Sequence, residues 1–219
     1  MQVAIIGAGN VGKALATSLR RAGHTVTITS RDRADAARIA AETGARLAST
    51  SAAAAADAEV VIPAVPFSEL PEVAGEIASA AAGKPVVDVT NRIAFGSNGP
   101  EIDGTSSNAE TLAALLPKSP IVKAFNTLFA TNQVDPIAEG VQLDGLVAGD
   151  DPTAKAKVLD LVASIGLHPI DVGPLVRARQ LEGLAFLNMA LNIEHEGAWQ
   201  SGWKLVAAPD TSAAEEGAR

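Results

Sequence analysis

The chain reads as an α/β protein, a Rossmann-type doubly wound parallel sheet carrying a small C-terminal α/β extension. Three observations predict this. The first 31 residues run strand, glycine turn, helix, strand. Short β-branched runs then alternate with helical stretches as far as Ala124, the pattern of a parallel sheet covered on both faces. Past residue 125 the alternation loosens and ends in one long apolar helix, with no Pro/Gly/Ser-rich linker between the two parts. The expected division is residues 1–124 for the dinucleotide-binding part, 125–206 for the extension, and 207–219 for a small acidic tail.

Residues 2–6 are apolar with β-branched members, as in a buried strand. They run into Gly7-Ala8-Gly9-Asn10-Val11-Gly12, and residues 13–21 keep helical spacing through Leu15 and Leu19. In this arrangement the first glycine allows the tight turn, the second lets backbone approach a pyrophosphate, and the third lets helix and sheet pack closely. The helix start then offers free N–H groups and the positive end of its dipole to phosphate. Strand and helix flank the motif as dinucleotide binding requires. Gly7, Gly9, Asn10, Val11 and Gly12 are therefore expected to hold a dinucleotide.

The second strand, residues 25–29, ends at Ser30-Arg31, with Arg33 close behind. An NAD site usually carries Asp or Glu here for the ribose 2′-hydroxyl. Ser and Arg can donate to a 2′-phosphate, and hydrogen bonds to charged groups contribute about 1.5–3 kcal/mol each. The cofactor expected is NADP, held by Ser30, Arg31 and Arg33. A plainer reading makes both arginines solvated charges at the start of the next helix, with Asp32 as its N-cap.

Further along, helices are expected over 32–43, 49–57, 68–80, 107–116, 152–165 and 175–196. Strands are expected over 45–48, 59–62, 85–89, 121–124, 142–148 and 168–171. Residues 92–105, rich in Gly, Ser, Asn and Asp, read as a loop. In open α/β sheets ligands sit beyond the carboxyl ends of the strands. That rule selects Ala64-Val65-Pro66, Asn91, and Asn126-Thr127-Leu128 as further lining for the nicotinamide and its reaction partner. Pro63 and Pro66 also serve simply to end a strand. Asn91 and Asn126 either bond a carboxamide or cap a turn. Arg177 and Arg179 either pair with the acidic surface or reach an anionic cofactor.

Composition narrows the chemistry. Hydrophobic residues make up 47% and charged residues 19%, enough for a core, and no apolar run approaches membrane-spanning length. A first strand beginning at residue 2 leaves no room for a signal peptide, so the cytoplasm is expected. Cysteine is absent, which excludes thiolate catalysis and disulfides, and tyrosine is absent, which removes a Tyr–Lys proton donor. A net charge of −8 without a basic block argues against nucleic acid. No metal-ligand spacing appears. His24 reads as structural, His168 has no evident partner, and His195 is flanked by Glu194 and Glu196, which point away from it on a helix. Asp88 reads as an anchor for neighbouring backbone, and no catalytic acid or base is assigned. Hydride exchange between a nicotinamide and a flavin-like ring needs none, only two rings held close.

Several segments together resemble the small NADP oxidoreductases that reduce the deazaflavin coenzyme F420, and the related cytoplasmic ferric-reductase domains that use a flavin. They are the glycine turn, Ser30-Arg31, Lys123-Ala124-Phe125-Asn126-Thr127, Gly149-Asp150-Asp151, and Asp171-Val172-Gly173-Pro174-Leu175. The resemblance implies hydride transfer between NADPH and F420, or FMN/FAD, in a crevice between the two parts. It places Ser30 and Arg31 on the 2′-phosphate and Asn126-Thr127-Leu128 beside the acceptor ring. The chain departs from the deazaflavin enzymes in its Gly-Ala-Gly opening and in Leu128-Phe129, which narrow the space for the acceptor. Two other functions fit the residues: NADPH-dependent reduction of a small organic substrate, and a non-catalytic NADP-binding module. The apolar helix over 181–193 offers a surface for a homodimer.

Overall fold

The computed structural model describes residues 1–96, 99–102 and 105–207. The chain opens with β1 (Gln2–Ile6), α1 (Asn10–Arg21), β2 (Thr25–Thr29), α2 (Arg33–Thr43) and β3 (Arg46–Leu47). It continues with α3 (Ser51–Ala56), β4 (Val60–Pro63), a 3₁₀ turn at Phe67–Glu69, α4 (Leu70–Ile77) and β5 (Val86–Asp88). Next come β6 (Ile93–Gly96), β7 (Gly99–Ile102), α5 (Asn108–Leu115) and β8 (Ile121–Lys123). The remainder is α6 (Ala130–Val134), β9 (Ile137–Ala138), β10 (Val141–Gln142), β11 (Asp144–Gly149), α7 (Pro152–Ser164), β12 (His168–Gly173) and α8 (Ala178–Glu194).

Eight strands form one sheet in the order β12-β11-β8-β5-β4-β1-β2-β3. Every neighbouring pair is parallel except β8 and β11, which run antiparallel through Lys123–Ala148 and Val122–Gly149. β11 and β12, which belong to the stretch after residue 124, thus continue the sheet begun by β1. The strand order reverses direction between β1 and β4, which opens a crevice above their carboxyl ends.

Alternation along β1 divides the core into two layers. Val3 and Ile5 pack with Leu15 and Leu19 of α1, Ile39 of α2 and Leu161 of α7. Ala4 and Ile6 face the other way, onto Leu70 and Ile77 of α4 and Leu112 of α5. Each of these large side chains is almost wholly buried, which contributes about 1.5–3 kcal/mol apiece. The caps follow the local residues. Asp32 accepts from the N–H groups of Ala34 and Asp35, and Asp151 accepts from that of Ala154. Ser107 and Glu110 form a reciprocal capping box on α5.

Three expectations are corrected, and one stretch without a predicted element gains two. The stretch expected as a loop over 92–105 contains the antiparallel hairpin β6–β7, whose Ile93, Phe95 and Ile102 were outweighed in sequence by Gly, Ser and Asn. Residues 130–142, where the spacing predicts no element before Gln142, hold α6 and a second hairpin, β9–β10. Glu139 and Gly140 both take positive φ (50° and 76°) in that hairpin, as a two-residue I′ turn requires. The strand expected over 142–148 is consequently two, since Gln142 ends β10 and Asp144 begins β11. The helix expected over 68–80 starts as the 3₁₀ turn and reaches only Ile77. The tail expected over 207–219 lies, apart from Ala207, outside the described residues.

Candidate functional site

The glycine turn sits in the crevice between β1 and β4. Gly7 has φ +124°, and a Cβ there would stand 2.1 Å from the Ala64 carbonyl oxygen. A Cβ on Gly12 would stand 2.1 Å from the Gly7 oxygen. Those two positions need glycine for the fold itself. Gly9 differs, because a Cβ there would meet no protein atom within 4 Å. It is the N-cap of α1 and brings no side chain, so the first N–H groups of that helix have no side-chain cap.

Three cavities run along this edge of the sheet. The first, of about 500 Å³, is lined by Gly7, Ser30, Arg31, Arg33 and Ser49 on one side and by Glu69, Glu72 and Glu76 on the other. The second, about 220 Å³, lies between Gly7, Ala8, Gly9 and Ser30 and the segment Ala64-Val65-Pro66. The third, about 240 Å³, is bounded by Asn10, Val11, Asn91, Asn126, Thr127 and Leu128, by Phe129 and Ala130, and by Ala185, Asn188 and Met189 of α8. The residues of the glycine turn, Ser30, Arg31 and Arg33, Ala64-Val65-Pro66, Asn91 and Asn126-Thr127-Leu128 all line one of the three, apart from Gly12, which is packed beneath Gly7.

The two arginines are engaged within the chain. Arg31 reaches across the first cavity to Glu69, Nη2 to Oε1 at 2.9 Å. Arg33 donates to the Ser49 carbonyl oxygen at 2.8 Å. Asp32 serves as the cap on α2, as its plainer reading has it.

Asn91 and Asn126 bond each other. The Asn126 amide donates to Asn91 Oδ1 at 2.9 Å, and the Asn91 amide donates to the Asn126 carbonyl oxygen at 3.2 Å. This exchange fixes the Asn126 amide with Oδ1 as its remaining acceptor, and that buried oxygen has no protein partner. Phe125 turns the chain into this position with φ +63°, a conformation that strains a bulky residue by about 1–3 kcal/mol. It is held there by burial and by Gln133 donating to its carbonyl oxygen.

Beneath the pair lies a cluster that sequence reading saw only in part. Asp88 accepts from the N–H and hydroxyl of Thr90, the backbone anchoring expected of it. Its other oxygen takes the Lys123 ammonium at 2.7 Å, and Lys123 also donates to Glu182 of α8 at 2.7 Å. Glu182 in turn accepts from the N–H groups of Arg92 and Asn108. Burial pushes the Glu182 carboxyl above its ordinary value, against the pull of Lys123. Thr90 and Arg92 are thus fixed on both sides of Asn91.

The contribution of α8 was missed. Ala185, Asn188 and Met189 follow helical spacing, so an amide on one face of an apolar helix was the available signal. Histidine chemistry lies elsewhere. His24 bonds the N-terminus and Ser164, and burial lowers its pKa. His168, expected to lack a partner, bonds Asp144 at 2.9 Å, a contact between residues 24 apart in sequence. Arg179 pairs with Glu110 through two hydrogen bonds, and Arg177 lies against Gly173. Neither arginine is among the residues lining the three cavities.

Comparison with known proteins bears on this geometry. Residues 2–92 match the family described as NADP oxidoreductase coenzyme F420-dependent. The F420-dependent NADP reductase of Methanothermobacter marburgensis is 33% identical over 214 residues, spanning 89% of this chain and 94% of that protein. The chain belongs to this family of F420-dependent NADP reductases. A solved structure from Arthrobacter sp. FB24, provisionally assigned as an F420-dependent NADP-reductase, superposes with a TM-score of 0.84 at 31% identity. It covers 94% of this chain, which covers 99% of it. The rat metalloreductase STEAP3 is 32% identical over 84% of this chain, which spans 36% of that longer protein. Family membership makes the protein an NADP-dependent oxidoreductase, in agreement with the expectation from the glycine turn and from Ser30-Arg31. No helix among the described residues is long and apolar enough to cross a membrane.

Proposed function

We propose that the protein exchanges a hydride between NADP(H) and a deazaflavin or flavin-type ring. The lining of the third cavity carries this reading. Every described residue in it is apolar or bears a neutral amide or hydroxyl. Reduction of a simple carbonyl ordinarily calls for a placed proton donor. A ring acceptor calls instead for close, oriented stacking, which neutral walls suit.

The residues present fit a nicotinamide dinucleotide. Gly9 borders open space at a helix start with free N–H groups, and Asn126 retains an unused acceptor. In this reading Gly7, Gly9, Asn10, Val11 and Gly12 form the pyrophosphate turn. Ser30, Arg31 and Arg33 face the 2′-phosphate, and Ala64, Val65 and Pro66 border the path between. Asn91 and Asn126 orient the carboxamide through Asn126 Oδ1. Thr127 and Leu128 border the acceptor ring, with Phe129 limiting its depth. When bound, the coenzyme supplies or takes the hydride; the chain's own residues bind, orient and exclude water.

Coenzyme F420 is the acceptor that the names of the relatives support, and FMN or FAD would present a ring of similar shape. Exposed Leu187, Leu191 and Ile193 on α8 support a homodimer, and the lack of cysteine suits the cytoplasm. The test is NADPH oxidation against F420, FMN, FAD and small cyclic imines. Turnover with F420 or a flavin is expected. Turnover with an imine alone would replace this reading with reduction of an organic substrate, and tight NADPH binding without turnover on any of them would make the protein a binding module.

A further inference from the structure

The wall facing Arg31 is acidic, which is unusual for a cavity expected to take a dianionic group. Glu69, Glu72 and Glu76 all line it, against the two arginines. Only Glu69 among the three pairs with Arg31, at 2.9 Å. Its place is built into the fold. Pro66 ends the segment after β4, and the Glu69 N–H donates to the Pro66 carbonyl oxygen at 2.9 Å, closing the 3₁₀ turn that leads into α4. The carboxylate is therefore carried on a fixed turn, 29% exposed, while the Arg31 side chain opposite is 77% exposed and held on the protein by this pair.

We propose that Glu69 is a specificity-determining residue that competes with the 2′-phosphate for Arg31. In the coenzyme-free protein Glu69 holds the guanidinium across the mouth of the cavity. A 2′-phosphate displaces that contact and takes Arg31 for itself, leaving Glu69 without its partner. A coenzyme with a free 2′-hydroxyl has no such contest, and its hydroxyl can donate to the same carboxylate. Glu69 thereby narrows the margin by which NADP(H) is preferred over NAD(H). This rests on the reading of the first cavity as the 2′-phosphate site.

The experiment measures NADPH and NADH dissociation constants by calorimetry at low ionic strength for the wild type, Glu69→Gln, Glu72→Gln, Arg31→Ala, and Arg31→Ala with Glu69→Gln. An exposed ion pair of this kind corresponds to about a two- to five-fold change in affinity. Glu69→Gln is expected to tighten NADPH by that factor, with no gain for NADH, and the gain is expected to shrink as salt is raised. It should vanish in the Arg31→Ala background. No change in Glu69→Gln, while Arg31→Ala still weakens NADPH, overturns the competition and leaves the site reading intact. An equal gain from Glu72→Gln overturns it too, since the effect would then be the general field of the acidic wall. Unchanged NADPH affinity in Arg31→Ala overturns the site reading and the competition together.

Discussion

Lys123 and Glu182 are 59 residues apart in the chain and 2.7 Å apart in space, and both are closed off from solvent. The contact ties the end of β8 to the second turn of α8, and through Arg92 and Asn108 it fixes the loop carrying Asn91. Removing one partner of a buried pair leaves an uncompensated charge and costs about 3–5 kcal/mol. Lys123→Met is expected to lose about that much, because Asp88 and Glu182 would both be stranded. Glu182→Gln keeps one oxygen for Lys123 and the Asn108 N–H but turns an NH2 toward the Arg92 N–H, and should lose about 1–3 kcal/mol. The pH dependence separates the two roles. Burial raises the Glu182 pKa, so its contribution to stability is whole below the ordinary glutamate value and is lost as pH rises through the raised one. Urea unfolding across that window should show a falling limb in the wild type that Glu182→Gln removes.

The glycines of the turn should separate folding from binding. Gly12→Ala forces a Cβ onto the Gly7 oxygen, and Gly7→Ala does the same to Ala64 in a backbone conformation unsuited to alanine. Both are expected to destabilise the fold. Gly9→Ala meets nothing within the protein, so its thermal stability should stay within about 1 kcal/mol of the wild type. Its NADPH affinity should fall about ten- to a hundred-fold, as expected when a charged group is kept from its hydrogen-bond donors. Calorimetry beside a denaturation curve checks both halves.

This contrast marks what was legible in the sequence. The glycine spacing, the Ser30-Arg31 strand end and the cap at Asp32 are local, and each occupies its expected place. The Lys123–Asp88–Glu182 cluster, the Asn91–Asn126 exchange and the Arg31–Glu69 pair join residues 35 or more apart. Nothing in local spacing encodes such meetings; they follow from strand order. The β9–β10 hairpin was missed for a different reason, since its strands are two residues each and a Glu takes the first positive-φ position of its turn. Asp88 shows both sides, with its bonds to Thr90 two residues away foreseeable and its ion pair with Lys123 not.

Asn91 and Asn126 should behave as one unit. Asn91→Ala removes both bonds, and Asn126→Ala removes the one between the side chains along with the free Oδ1, leaving Asn91 donating to the main-chain oxygen. The single variants and the double variant are expected to lose similar amounts in kcat/KM. The coupling in a double-mutant cycle should fall within about 0.5–3 kcal/mol, the range for residues in one network. Strict additivity would show that the two amides act separately.

Acid should loosen the contact between α5 and α8. Arg179, through its two hydrogen bonds, and then Ser107 hold the Glu110 carboxyl down to about 2 against the cost of its burial. A depressed carboxyl contributes stability that is present above its unfolded value of 4.5 and lost as pH falls toward 2. Arg179→Gln is expected to return Glu110 toward the ordinary range in an NMR titration and to flatten the acid limb of the stability curve. Ser107→Ala should remove the cap on α5 at a cost of about 1 kcal/mol, with a smaller change in that limb.

The segment after α8 folds back over the molecule and is held at both ends. At its far end Asp144, nearly fully buried, takes Lys204 at 2.7 Å, the Leu205 N–H, and His168. Against the cost of burial, these partners keep its carboxyl below the ordinary aspartate value. At the near end Ser201 donates to Asn188 Oδ1 at 2.6 Å, and Asn188 lines the third cavity. Trp199 meets Phe129, which also lines that cavity, edge to face at 5.1 Å. Asp144→Ala should therefore release the far end and slacken the wall without touching Gly9 or Ser30. The expected result is a higher KM for the acceptor and an unchanged NADPH dissociation constant. Both tryptophans of the chain, Trp199 and Trp203, lie in this segment, so their emission should shift to the red in the same variant. A red shift with no change in acceptor KM would show that the segment is fastened to the cleft but does not shape it.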